Sequence, residues 1–293
     1  MILNVSGRCD IVAFYSDWFM KRYYEGYVDV RNPFYNKNVS RIYFKDVSAI
    51  LFCTKNPLPI IDRLSEIDKP ILFHVTITPY KSDIEPNVIS KAKIIEGIKK
   101  ISQIIGKENI YVRYDPILLN DKYTIDYHLK AFDKLCSLLD GYVNHIIVSF
   151  IDYYKNVRNN MRYLKLRDFN ESDYEQIAIN FVKSASKHNI TVQTCCEEHN
   201  LIEYGFIKQD CLSHELVYKL TGQTKFKKWK ERPCNCIEMV DIGVYNCCNH
   251  FCRYCYANFD EKQVIANIKK HNDNSSMLIG NISNNDNIKI RNN

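Results

Sequence analysis

Three cysteines near the end of the chain are close enough in sequence to share one inorganic group. They lie in Cys248-Asn249-His250-Phe251-Cys252-Arg253-Tyr254-Cys255, a Cys-x3-Cys-x2-Cys spacing with an aromatic just before the last thiol. A cubic 4Fe–4S cluster normally takes four thiolates, so three would hold three irons and leave the fourth open to a small ligand. Zinc also binds thiolates, and His250 could complete a Cys3His set. Its position inside the loop between Cys248 and Cys252 suits a tetrahedral fourth ligand poorly. A disulfide framework does not suit a chain of 293 residues with no secretion signal. The spacing therefore favours an iron–sulfur cluster at Cys248, Cys252 and Cys255.

Nine of the twelve cysteines lie outside that trio. Cys195, Cys211, Cys234 and Cys236 make a second candidate set: a Cys-x-Cys pair, a strand end and a loop before a helix. Four thiols meeting near one site would hold a second, fully ligated 4Fe–4S cluster able to pass electrons or anchor a substrate. Zinc would satisfy the same four tetrahedrally. The cluster is the preferred reading. Cys196 would replace Cys195 if the strand register slipped by one. Cys53 and Cys136 read as buried small hydrophobes, and Cys9 and Cys247 have no assignment.

The elements that position these residues follow from hydrophobic periodicity. Strand-like runs fall at 2–6, 49–54, 71–78, 110–114, 145–151, 191–195 and 237–245. Between them Ile94, Ile98, Ile101 and Ile105 recur at helical spacing, as do Ile125, Leu129, Phe132, Cys136 and Leu139. Tyr174, Ala178, Phe181 and Ala185 do the same, with Ser172 and Glu175 as a capping box. Strands alternating with helices predict an α/β fold with a parallel sheet, here a closed or partial TIM-like (βα) barrel. In such barrels the chemistry lies at the C-terminal strand ends. Those ends offer Ser6, Arg8 and Asp10, then Thr54, Lys55 and Asn56, then Thr76 and Thr78. Arg113 and Asp115, Ser149 and Asp152, and Cys195, Glu197 and Glu198 follow, and the last strand runs into the three-cysteine loop. Segments 15–45 and 154–170 are less regular and read as loops or short insertions. Residues 1–270 form one domain, and the Asn- and Ser-rich stretch 271–293 reads as a weakly ordered tail.

The chain starts without the basic and apolar run of a signal peptide, and no stretch approaches the length of a membrane span. The expectation is a soluble cytoplasmic protein without membrane contact. Its net charge of +6 permits nucleic acid or an acidic electron donor without demanding either. The densest basic run, Lys225-Phe226-Lys227-Lys228-Trp229-Lys230-Glu231-Arg232, could stack Trp229 on a base or dock a flavodoxin or ferredoxin. A solvated loop is its commonest meaning.

With its thiols and flanking tyrosine, the Cys248–Cys255 stretch resembles the signature of the radical SAM superfamily. That resemblance implies S-adenosylmethionine chelating the open iron and being cleaved to a 5'-deoxyadenosyl radical. In most members the cluster loop follows the first strand. Here it follows the last, which implies a circularly permuted barrel whose first and last strands are neighbours. The order of Ser6 to Asp10, Phe52-Cys53-Thr54-Lys55-Asn56-Pro57, Phe73-His74-Val75-Thr76, Asp83-Ile84-Glu85-Pro86 and Val112-Arg113-Tyr114-Asp115-Pro116-Ile117 resembles the spore-photoproduct-lyase type. So does Cys255-Tyr256-Ala257. By that resemblance Lys55 meets the methionine carboxylate of the cofactor and Thr76 lies near it. Ser6 and Asp10 either meet the ribose hydroxyls or cap the next helix, and Tyr254 serves the adenine. Arg113, Asp115, Asp152, Glu197 and Glu198 either line the substrate side or form a structural polar network. A nucleic-acid repair enzyme is the alternative activity, and an electron-transfer or zinc-binding protein the non-enzymatic one.

The whole chain also resembles an uncharacterised microbial family without an assigned substrate. Its marks are Asp17-Trp18-Phe19-Met20, Arg31-Asn32-Pro33, Arg113-Tyr114-Asp115-Pro116, Arg232-Pro233-Cys234-Asn235-Cys236 and the stretch from Asp241 to Asn258. Asn235 stands where that family usually has Gly, and Cys196 where it usually has Ala.

Overall fold

Residues of a strand face alternate sides, and this parity divides the apolar runs between two cores. The computed structural model describes residues 1–230 and 234–291. Its strands are β1 (Ile2–Val5), β2 (Tyr27–Arg31), β3 (Asn38–Tyr43), β4 (Ala49–Thr54), β5 (Ile71–Thr76), β6 (Ile110–Ile117), β7 (His145–Phe150), β8 (Thr191–Thr194), β9 (Ile207–Lys208), β10 (Met239–Asp241) and β11 (Asn287–Ile290). The α-helices are α1 (Ile11–Phe14), α2 (Ser16–Glu25), α3 (Lys91–Ile105), α4 (Ile125–Leu139), α5 (Lys155–Asn159), α6 (Met161–Leu164), α7 (Glu171–Ser186), α8 (His214–Thr221) and α9 (Glu261–Ile268).

Eight strands form one sheet in the order β10-β1-β4-β5-β6-β7-β8-β9, and every neighbouring pair is parallel. Val5, Phe52, Phe73, Val112 and Val148 face outward into a large core shared with α3, α4 and α7. Ile2, Leu51, Leu72, Tyr111, Ile147 and Met239 face inward and form a second core with Cys211 and Cys236. Laid flat, the sheet would hold its edges roughly 30 Å apart. Instead, the Ile237 amide just before β10 donates to the Leu212 carbonyl just after β9 at 3.0 Å. The sheet therefore curls into a partial barrel. Among the described residues its seam between β9 and β10 has no ladder of its own.

The helices behave as their caps dictate. Ser90 and Thr124 accept the Lys93 and Tyr127 amides at the starts of α3 and α4. Helix α7 starts two residues earlier than Ser172 would put it, because Asn170 and Asp173 form the capping box instead. Phe132 of α4 stacks on Phe181 of α7 at 3.7 Å between centroids.

Two expected irregular regions differ. Within 15–45, α2 buries Trp18, Phe19 and Met20, while β2 and β3 pair antiparallel. In 154–170 the short helices α5 and α6 appear. The expected tail is also docked: β11 pairs with β3, Trp18 Nε1 donates to the Ser275 carbonyl at 2.9 Å, and Arg31 meets Asp286 at 2.6 Å. Composition signalled polarity there, but not the distant strand edge that receives it. Among the described residues, no helix is long and apolar enough to cross a membrane.

A pH dependence follows from His128, fully buried on α4. Its Nδ1 accepts from the Tyr114 hydroxyl and its Nε2–H donates to the Leu118 carbonyl, both at 2.9 Å. The neutral ring is thus satisfied, and burial holds its pKa down at about 4. Between pH 6.5 and 4 the unfolded chain binds this proton and the folded chain does not, so stability falls as pH drops. The loss should reach about 3 kcal/mol at pH 4. Urea midpoints measured across that range should be flatter in His128→Gln than in the wild type; parallel profiles would assign the dependence elsewhere.

Candidate metal centre at the barrel mouth

The loop 242–258 leaves β10 and crosses the C-terminal strand ends beside β1. Asp241 ties the two strand ends: it accepts the amides of Gly7 at 3.0 Å and Gly243 at 2.7 Å and pairs with Arg8 at 2.8 Å. Gly243 has to be glycine for space, since a Cβ would stand 3.0 Å from Asp241 Oδ1 and 3.1 Å from the Arg8 amide.

Asparagines hold the loop by its backbone. Asn87 donates to the Asn249 carbonyl at 2.8 Å, Asn160 to Arg253 at 2.7 Å and Asn156 to Tyr256 at 2.9 Å. Asn258 donates to the Cys248 carbonyl at 2.5 Å, and Asn246 accepts the Phe259 amide at 2.8 Å. Tyr15 donates to the Cys247 carbonyl at 2.6 Å. These clamps come from α1, α5 and the segment after β5, and they fix the path on which Cys248, Cys252 and Cys255 sit. Cys248 is buried and the other two are half-buried. A hydrogen bond from the Cys9 thiol lowers Cys248 to about 7 against the effect of burial. The Ala257 amide approaches the Cys255 sulfur at 3.4 Å, the kind of outer contact that supports a thiolate ligand.

His250 is buried, and its Nε2–H donates to Asp10 at 2.9 Å. Burial opposes a charge on this ring, but the Asp10 carboxylate outweighs it and raises the pKa. Asp10 also accepts the Ala13 amide at 3.0 Å, capping α1, and the Lys55 amide at 2.7 Å. Ser6 Oγ accepts the Ile11 amide at 2.8 Å. Of the two roles left open for Asp10, this geometry is that of a helix cap and loop anchor.

Next to the loop, the buried Glu85 carboxylate is a hub. Its Oε1 receives Lys55 Nζ at 2.8 Å and Thr78 Oγ1 at 2.6 Å, and also the Tyr254 hydroxyl; Oε2 receives Lys91. Burial would push this carboxyl up, but the two ammonium groups hold it at about 2. Lys55 also lies 5.5 Å over the Tyr254 ring. For Lys55, burial is outweighed by Glu85 and Cys252, which raise its pKa. Thr76 lies on the inner face of the neighbouring strand end, in register with Arg113.

Farther round the mouth, Arg113 pairs with Asp115 at 2.5 Å, and Ser149 donates to the other Asp115 oxygen. Glu197 accepts the Phe150 amide at 3.3 Å. Its pKa is pushed up to about 7, chiefly by burial and further by Asp115 and Asp152. Asp152 and Glu198 are exposed.

The second thiol set converges as well. Cys236 Sγ lies 3.6 Å from Cys195 Sγ and 3.5 Å from Cys211 Sγ. Cys195, Cys234, Cys236 and Asp210 have ligand atoms within 4.8 Å of one another. Strand parity selects Cys195, since Gln193 and Cys195 share the inner face, while Cys196 is exposed. Sequence reading missed Asp210. It also missed Lys91 and the asparagine clamps, placed Thr78 at a strand end without a partner, and quoted Glu85 only within the Asp83–Pro86 motif. Phe226 and Trp229 pack on the inner core, and the Trp229 amide donates to the Cys236 carbonyl at 2.9 Å. Both rings are half-buried. Glu231 and Arg232 of the basic run lie outside the described residues.

Fold and site together define a parallel α/β partial barrel with a cysteine group, Cys195, Cys234 and Cys236, placed so that it could hold a metal ion. Residues 2–257 match the family model described as Domain of unknown function (DUF1848), and the chain belongs to that family. No curated protein matches it.

Proposed function

We propose that the chain is an iron–sulfur enzyme of the radical SAM kind, with Cys248, Cys252 and Cys255 as the ligands of a 4Fe–4S cluster. The observation that carries this reading is the three-thiol loop clamped beside β1 over the strand ends, with the Lys55 ammonium close enough to Cys252 for each to shift the other's pKa. The donor set fits the group: three thiols on one short loop, with an amide contact to Cys255 at 3.4 Å. When bound and reduced, the cluster supplies one electron that splits S-adenosylmethionine into methionine and a 5'-deoxyadenosyl radical, which takes a hydrogen atom from substrate.

The chain's own groups bind, orient and shield. Lys55 has donors to spare beyond Glu85 and offers them to the methionine carboxylate, with Thr76 on the adjacent strand end. Tyr254 borders the same hub and offers the adenine its ring and backbone. The permuted order costs nothing here because β10 and β1 are paired neighbours. Arg113, Asp115 and Glu197, with Ser149, make a polar inner wall that orients a substrate carrying hydrogen-bonding groups, and Asp152 and Glu198 stand outside it. The reductant is a flavodoxin- or ferredoxin-type donor.

Anaerobic reconstitution with iron and sulfide, followed by dithionite and S-adenosylmethionine, should yield 5'-deoxyadenosine and methionine. A protein that takes up no cluster, or takes it up and forms neither product, would favour a non-enzymatic metalloprotein instead.

A further inference from the structure

The geometry points to a second metal centre in which Cys195, Cys211, Cys234 and Cys236 hold a single tetrahedral zinc ion that fastens the open seam of the barrel. This is independent of the reading at Cys248, Cys252 and Cys255, and it replaces the second 4Fe–4S cluster that the sequence favoured. Spacing decides between them. A zinc ion bound at about 2.3 Å sets tetrahedral thiolates about 3.8 Å apart. The sulfurs of Cys195 and Cys211 lie 3.6 and 3.5 Å from that of Cys236. A cubane puts each thiolate on a different iron and so needs its sulfurs farther apart. The ligand atoms of Cys195, Cys234 and Cys236 lie within 4.8 Å of one another, and Cys211 joins them through its 3.5 Å contact with the Cys236 sulfur.

The surroundings are those of a closed structural site. The Cys211 amide donates to the Cys195 sulfur at 3.4 Å. The Leu212 amide points at Cys236 and the Cys236 amide at Cys234. Such N–H contacts offset thiolate charge, and the Arg113 guanidinium lies within electrostatic reach of Cys211. Cys211, Cys234 and Cys236 are buried in the inner core, covered by Phe226 and Trp229. Asp210 is the alternative fourth donor, but its Oδ1 already accepts the Asn235 amide at 2.8 Å.

A second observation points to an ion in this lumen. His74 (2% exposed) and Gln193 (0%) are buried there, yet His74 Nε2 and both polar side-chain atoms of Gln193 have no hydrogen-bond partner among the described residues. Buried polar groups left this way ordinarily belong to a site that holds an ion or water. The role of the metal follows from the topology. Cys195 ends β8, Cys211 follows β9, and Cys234 and Cys236 lead into β10, so one ion joins the two sheet edges that lack a ladder between them.

The test uses the full chain with Cys248, Cys252 and Cys255 all changed to alanine, expressed with both iron and zinc present. Elemental analysis should find one zinc per chain and no acid-labile sulfide. Adding Cys236→Ser should bring zinc to background, while Cys196→Ser should leave it in place. Because Cys236→Ser threatens folding, cobalt exchange into the triple variant gives a second readout, and it should produce the intense visible bands of a tetrahedral thiolate site. Iron with sulfide, no metal, zinc that survives Cys195→Ser with Cys236→Ser, or a pale octahedral cobalt spectrum would each overturn the proposal. The deoxyadenosine assay of the wild type reports only on the other trio, so the two readings fail separately.

Discussion

Cys252→Ala should reduce 5'-deoxyadenosine formation to the level of a protein-free control while leaving the fold intact. Loss of one thiolate leaves two, which cannot hold a cubane with one differentiated iron. No nearby sulfur can substitute, because the spare thiols Cys9 and Cys247 neighbour Cys248 instead. Cys252 is half-buried and outside the hydrophobic clusters, so its removal opens no core cavity. Product assays beside far-ultraviolet circular dichroism separate the two effects. A folded variant that still forms deoxyadenosine would remove Cys252 from the ligand set.

The second large effect is structural. Glu85→Gln should destabilise the protein by about 3 kcal/mol, because the Lys55 and Lys91 ammonium groups would then face each other without their shared carboxylate. Thr78 and Tyr254 also donate to Glu85 Oε1, so the change disturbs a whole network. The depressed carboxyl gives the same size by linkage: its stability is present above the unfolded value of 4.5 and is lost as pH falls toward about 2. Urea unfolding at pH 7 measures it, and an unchanged midpoint would show that the two lysines need no carboxylate between them.

Much of this was legible because it is local. The isoleucines of α3 and the apolar stripe of α4 set out their helices at 3.6-residue spacing, and inward parity at Gln193 and Cys195 tells one cysteine from its neighbour. The Cys-x-Cys pair and the strand-end cysteine converge as their spacing suggested. What was not legible depends on distant partners. Trp18, Phe19 and Met20 are consecutive, so α2 lacks a clean stripe, and β3 finds β11 across nearly the whole chain. The Glu85 hub joins Lys55, Thr78, Lys91 and Tyr254 from four segments, and no single segment announces it. The asparagine clamps look like ordinary loop residues until the fold brings them to the cysteine loop.

The central claim is that the cluster at Cys248, Cys252 and Cys255 keeps one iron free for the cofactor. Electron paramagnetic resonance of the reduced, reconstituted protein, recorded before and after adding S-adenosylmethionine, reads that iron directly. The account predicts a changed cluster signal on addition, absent in Cys252→Ala. A well-formed 4Fe–4S signal indifferent to the cofactor would mean that a fourth protein ligand, such as Cys9, which is hydrogen-bonded to Cys248, already closes the site, and would contradict it.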